Sequence, residues 1–140
     1  MVEISAANTE LIMAIVTEQF NEFQASATPE QKAAETENMV KFTTDEEFKN
    51  QQMALMNTAW TNADANSDGK LDLAEYIAFQ EAMKKITLDK GEWYPADNGA
   101  ERVYNIINSF SEGDGITMPE LFALFGPWMA KWQELKTAAQ

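Results

Sequence analysis

The sequence predicts an all-α protein, and three features carry that expectation. No glycine occurs before Gly69, so the first half of the chain lacks flexible punctuation. Apolar residues recur at spacings of three and four rather than two. Helix start signals stand at Thr28-Pro29-Glu30-Gln31 and at Thr117-Met118-Pro119-Glu120, where a capping threonine precedes a proline and a Gln or Glu capping-box partner. No period-two alternation runs for more than a few residues.

Taken in order, residues 7–25 form the first helix, with Leu11, Ile12, Ile15, Val16, Phe20 and Phe23 as one apolar stripe. A polar second helix opens at Thr28 and runs to about Met39. A third begins after Thr43 or Thr44 as cap, with Asp45, Glu46 and Glu47 at the positive end of its dipole, and continues through Phe48, Leu55, Met56 and Trp60 to Ala63. Residues 64–75 break the pattern. A helix resumes from about Leu73 to Ile86, with Tyr76, Phe79 and Met83 on one face. Residues 87–99 (TLDKGEWYPADNG) read as a connector pinned by Trp93 and Tyr94. Helix returns over 100–110 through Val103, Ile106, Ile107 and Phe110. After a second loop at 111–117, a helix from Thr117 is expected to stop at Gly126-Pro127 and a short last one to carry Trp128, Trp132 and Leu135. Four segments result: 1–42, 43–86, 87–99 and 100–140.

The 140 residues suit one compact domain or two joined helical lobes. With 10 basic and 23 acidic side chains the formal charge is −13, which repels a phosphate backbone and attracts cations, so no nucleic-acid partner is expected. The absence of Cys excludes disulfides and thiolate sites. The absence of His removes the usual zinc ligand and general base, so an enzyme is not expected. No run reaches the roughly 18 apolar residues of a membrane span. The first ten residues lack a signal-peptide pattern and Val2 excludes myristoylation, so an intracellular, cytoplasmic protein without a membrane anchor is expected.

The segment that carries chemistry is Asp64-Ala65-Asn66-Ser67-Asp68-Gly69-Lys70-Leu71-Asp72-Leu73-Ala74-Glu75. A plain polar Asx turn with a helix cap would leave Leu, Asp and Glu at the eighth, ninth and twelfth places unexplained. The segment resembles the EF-hand calcium loop, D-x-N-x-D-G-x-L-D-x-x-E, of the calmodulin-like and sarcoplasmic calcium-binding proteins. The resemblance implies that Asp64, Asn66 and Asp68 supply side-chain oxygens to Ca2+. It implies further that Lys70 offers its carbonyl, that Asp72 binds directly or through water, and that Glu75 closes the cage with both carboxylate oxygens. Gly69 then takes the sharp turn, and Leu71 enters a short β-bridge to a partner loop. Trp60 and Ala63 before the loop, and Tyr76 and Phe79 after it, match the family's inward positions.

The family implies an EF-hand pair, and a partner is legible at Phe110, Ile116, Glu120, Leu121 and Leu124. Nine residues separate Phe110 from Glu120 where the regular loop requires eleven. Holding Glu120 at the closing position makes Ser109 the first residue of the loop and places Asp114 where Gly belongs. Two readings stay open: an unusual second ion site using Glu112, Asp114 and carbonyls, or a degenerate hand kept for packing, with Ile116 pairing to Leu71. The resemblance covers residues 45 to about 126; residues 1–42 show no loop at the family's spacing and are either the relic of a hand or an added helical hairpin. The resemblance implies a calcium sensor that opens a groove for an amphipathic helix of a target protein; Met53, Met56, Met83 and Met118 flank the two loops and suit either such a groove or the core. The alternative is a calcium buffer of sarcoplasmic type that opens little.

Overall fold

In a computed structural model of the chain, residues 4–95, 99–111 and 115–139 are described. Six helices follow one another: α1 (Ala6–Ser26), α2 (Pro29–Thr44), α3 (Glu46–Ala63), α4 (Leu73–Asp89), α5 (Ala100–Phe110) and α6 (Met118–Ala139). Among the described residues there is no strand, and the only extended pairing is one antiparallel bridge between Leu71 and Ile116. No helix among the described residues is long and apolar enough to cross a membrane.

The capping rules place most helix starts. The Thr28 hydroxyl accepts the Gln31 N–H at 3.1 Å while the Gln31 side chain accepts the Thr28 N–H at 2.9 Å, the reciprocal box expected from the sequence. Helix α2 runs on beyond Met39 to Thr44, because the hydroxyls of Thr43 and Thr44 turn back onto the Val40 carbonyl at 3.0 and 2.7 Å. Those threonines are therefore spent, and the cap of α3 is Asp45, whose carboxylate accepts the Phe48 N–H at 3.1 Å. A carboxylate at a helix N-terminus also gains from the dipole, which a hydroxyl does not.

The largest departure lies at the C-terminus. Helix α6 passes through Gly126-Pro127 without a break, so the chain ends in one long helix rather than a short separate one. Proline removes one backbone donor and costs about 3 kcal/mol in an isolated helix. Here Leu121 and Leu124 before it and Trp132 after it are all buried in the same core, and their burial outweighs the missing rung.

One apolar core runs through the helices. Helix α1 lies mainly along α6 and also touches α5; α3 packs on α4, α2 on α3, and α4 on α5. The stripe of α1 is the one predicted, except that Leu11 faces solvent while Ile12, Ile15, Val16, Phe20 and Phe23 are buried. At its centre Phe20 and Trp132 meet edge to face at 5.1 Å, and Phe23 touches both Trp132 and Trp93 at 5.3 and 5.1 Å. Trp93 pins its connector as expected: its indole N–H donates to the Ser26 hydroxyl at 2.9 Å.

Helix α2 has no fully buried residue; Met39 packs partly buried against the core, and polar ties add to that contact. The Glu35 carboxylate accepts from the Trp132 indole at 2.8 Å and from the Lys136 ammonium at 2.9 Å, with both partners drawn from α6. Tyr76 is completely buried, and Gln80 links its hydroxyl to that of Tyr94 by bonds of 2.6 and 3.0 Å. Burial pushes the Tyr76 phenol well above the ordinary tyrosine range, with the bond from Gln80 opposing, so it stays neutral at any physiological pH.

Candidate metal centre

The loop between α3 and α4 is organised by its own side chains. Asp64, at the end of α3, is nearly buried, and its two carboxylate oxygens accept the N–H groups of Asp68 at 3.3 Å and Gly69 at 2.8 Å. Asn66 accepts weakly from Asp68 N–H at 3.4 Å, and Asp68 accepts from Lys70 N–H at 2.9 Å. Two residues take positive φ, Ser67 at 56° and Gly69 at 80°, and together they reverse the chain. Glycine at 69 avoids the cost that a side chain meets in that region.

The loop closes at Asp72 and Glu75. Asp72 caps α4 by accepting the Glu75 N–H at 2.8 Å, and Glu75 Oε1 accepts the Asp72 N–H at 3.0 Å in return. The second oxygen of Glu75 reaches back to the head of the loop, where it accepts the Ala65 N–H at 2.9 Å. Asp-x-x-Glu is itself a capping-box signature, so this second role of Glu75 was present in the sequence alongside its reading as a closing ligand.

Leu71 is fully buried, and its N–H and C=O pair with the C=O and N–H of Ile116 at 2.9 and 2.8 Å. The predicted juxtaposition of these two residues is thus observed. The flanking side chains also take the inward positions: Trp60 meets Phe79 edge to face at 5.2 Å, and Tyr76 lies 6.2 Å from Tyr104 of α5.

Among the described residues no three carboxylates stand together as a group that could hold a metal ion. The loop acids turn toward loop N–H groups instead. Whether they suit a cation is decided by donor chemistry. An ionised carboxylate offers about four acceptor sites. The bonds above occupy two on Asp64, one each on Asp68 and Asp72, and two on Glu75. Acceptor capacity therefore remains on every one. The ion pairs among the described residues lie elsewhere, at Glu37–Lys41, Glu18–Arg102, Lys131–Glu134 and Glu35–Lys136. An all-oxygen set of this kind, without nitrogen or sulfur, fits a hard cation.

The second loop is built differently. Ser109, which the regular register would make its first residue, is inside α5 with its hydroxyl on the Ile106 carbonyl at 2.6 Å. Glu120 Oε1 accepts the Thr117 N–H at 2.7 Å and lies 3.1 Å from the Ser111 hydroxyl. Thr117 and Glu120 form the predicted capping box, although the return bond from Glu120 N–H is long at 3.4 Å. Glu112 and Asp114, the acids of the alternative ion site, fall outside the described residues.

Met53, Met56, Met83 and Met118 are all half-buried. A shallow apolar groove of about 320 Å³ lies instead between α2 and α6, lined by Met39, Val40, Thr43, Met129, Ala130 and Gln133. Comparison with known proteins finds no matching family model, curated protein or solved structure.

Proposed function

We propose that this chain binds one calcium ion per molecule in the Asp64–Glu75 loop, as an EF-hand does. The observation that carries the reading is the reach of Glu75 from the first turn of α4 to Ala65 at the start of the loop. That bond ties the side chain of the last candidate ligand to the backbone beside the first, Asp64, which supports a loop that could close around an ion. Asp64, Asn66, Asp68, Asp72 and Glu75 would hold the ion through side chains and Lys70 through its backbone. A cation taking six to eight oxygens at roughly 2.3–2.6 Å suits so many small donors better than magnesium, which demands a tight octahedron.

Within that reading the packing of α1 favours a buffer over a sensor. A sensor must uncover an apolar face, and the face of α5 and α6 is already filled by Ile12, Ile15, Val16, Phe20 and Phe23. Exposing side chains of this size costs about 1.5–3 kcal/mol each, so uncovering the stripe costs on the order of 10 kcal/mol. One ion at a thousandfold excess over its dissociation constant supplies only about 4 kcal/mol, and a ligand shifts an equilibrium by no more than its differential affinity. The sensor that binds a target helix becomes the second reading, and the shallow Met39–Met129 groove is one surface it could use.

Calorimetric titration with calcium tests the site. One ion per chain is expected, with binding abolished in Glu75→Gln and weakened less in Asp64→Asn; a flat titration of the wild type removes the reading. An apolar fluorescent dye separates the alternatives, since a buffer gains no dye binding on adding calcium and a sensor does.

A further inference from the structure

We propose that the second loop is closed by a hydrogen-bonded clasp where a regular hand would hold an ion. Through that clasp Ser111, Gly115 and Glu120 act as positioning residues for the Asp64–Glu75 site. The functional part of this inference rests on the calcium reading above, whereas the clasp stands on its own geometry.

Ser111 is the first residue after α5, and Glu120 lies in the first turn of α6. The Ser111 hydroxyl sits 2.8 Å from the Gly115 carbonyl and 3.1 Å from Glu120 Oε1, and the same carboxylate oxygen accepts the Thr117 N–H at 2.7 Å. Ser111 has one hydroxyl proton to share between two acceptors, so it ties the beginning of the loop to both its middle and its end. An ion in a regular loop makes the same connection through carboxylates. Here a neutral hydroxyl makes it, which suits a loop two residues too short to wrap a cation.

Gly115 makes the clasp useful to the other loop. Its φ is +89°, and a Cβ placed there would lie 2.9 Å from the Leu71 carbonyl oxygen and 3.3 Å from the Leu71 carbonyl carbon. That carbonyl cannot retreat, because it accepts the Ile116 N–H at 2.8 Å. Only glycine lets the two loops approach this closely. Leu71 in turn stands between Lys70 and Asp72, two of the proposed ion ligands, so holding Leu71 fixes the backbone that presents both. The order of support runs from Ser111 and Glu120 to Gly115, across the bridge to Leu71, and so to the ion loop.

The test compares Ser111→Ala with Ser111→Thr, using calcium titration together with amide hydrogen exchange on the ion-free protein. Ser111→Ala should lower calcium affinity roughly tenfold, as expected for the loss of one hydrogen bond to a charged group. It should speed exchange at the Leu71 and Ile116 amides and leave Val103 and Ile107 of α5 unchanged. Ser111→Thr, which keeps the hydroxyl, should restore both readouts. Gly115→Ala should weaken binding further; should it fail to fold, the Ser111 pair still decides. Unchanged exchange at Leu71 in Ser111→Ala overturns the clasp, and so does a wild type that takes up two ions. If the wild type binds no calcium, the function proposed above is lost, while the exchange data continue to support or overturn the clasp.

Discussion

Calcium at a hundredfold excess over its dissociation constant should raise the melting temperature by roughly 10 °C. One site contributes about 2.7 kcal/mol of linkage stabilisation at that excess, and a chain of this length shifts by a few degrees per kcal/mol. Asp64, Asp68, Asp72 and Glu75 place four acidic side chains in one short loop of a chain with a formal charge of −13, so a cation there has like charges to offset. Their present partners are backbone N–H dipoles, which stabilise single carboxylates but leave the repulsion among them. Glu75→Gln should remove most of the shift while leaving the far-ultraviolet dichroism helical. Thermal melts followed by far-ultraviolet circular dichroism across a calcium series read both, and a wild-type melting temperature that millimolar calcium does not move sinks the proposed function.

The parts of this molecule that were legible in the sequence are those determined within a few residues. The loop at 64–75 is contiguous and its hydrogen bonds join residues ten or fewer apart, so a helix break closed by a cap could be read from spacing alone. The box at Thr28 and the stripe of α1 are local in the same sense. What escaped was decided by distant partners. Leu11 fits the stripe by spacing but lies on the solvent side of the contact that α1 makes with α6. Gly126-Pro127 obeys the local rule for a stop, yet the burial of Trp132 keeps the helix running. Glu35 carries no local sign of its role, because its partners Trp132 and Lys136 lie 97 and 101 residues away. The cap at Asp45 was a near miss of another kind, since three adjacent residues could serve and only their competing bonds to α2 choose among them.

Phe20→Ala should cost about 3–5 kcal/mol of stability, the range for removing a buried aromatic ring from a packed core. Phe20 is only 4% exposed and meets Trp132 edge to face, with Phe23 6.3 Å away, so the vacated volume is walled by large rings that cannot easily collapse into it. Leu11→Ala on the same helix serves as control, because Leu11 is 54% exposed and its loss should stay within about 0.5 kcal/mol. Urea denaturation of the two variants measures the difference directly, and near-equal midpoints would mean that α1 does not hold the place described. The same variant tests why the protein stays closed. Loosening α1 brings the cost of uncovering the α5–α6 face down toward the few kcal/mol that one ion supplies. Phe20→Ala should therefore begin to bind an apolar dye in response to calcium, where the wild type does not. A calcium-dependent dye signal already present in the wild type would instead mean that the α1 stripe is held more weakly than its burial requires, and would return the sensor reading to first place.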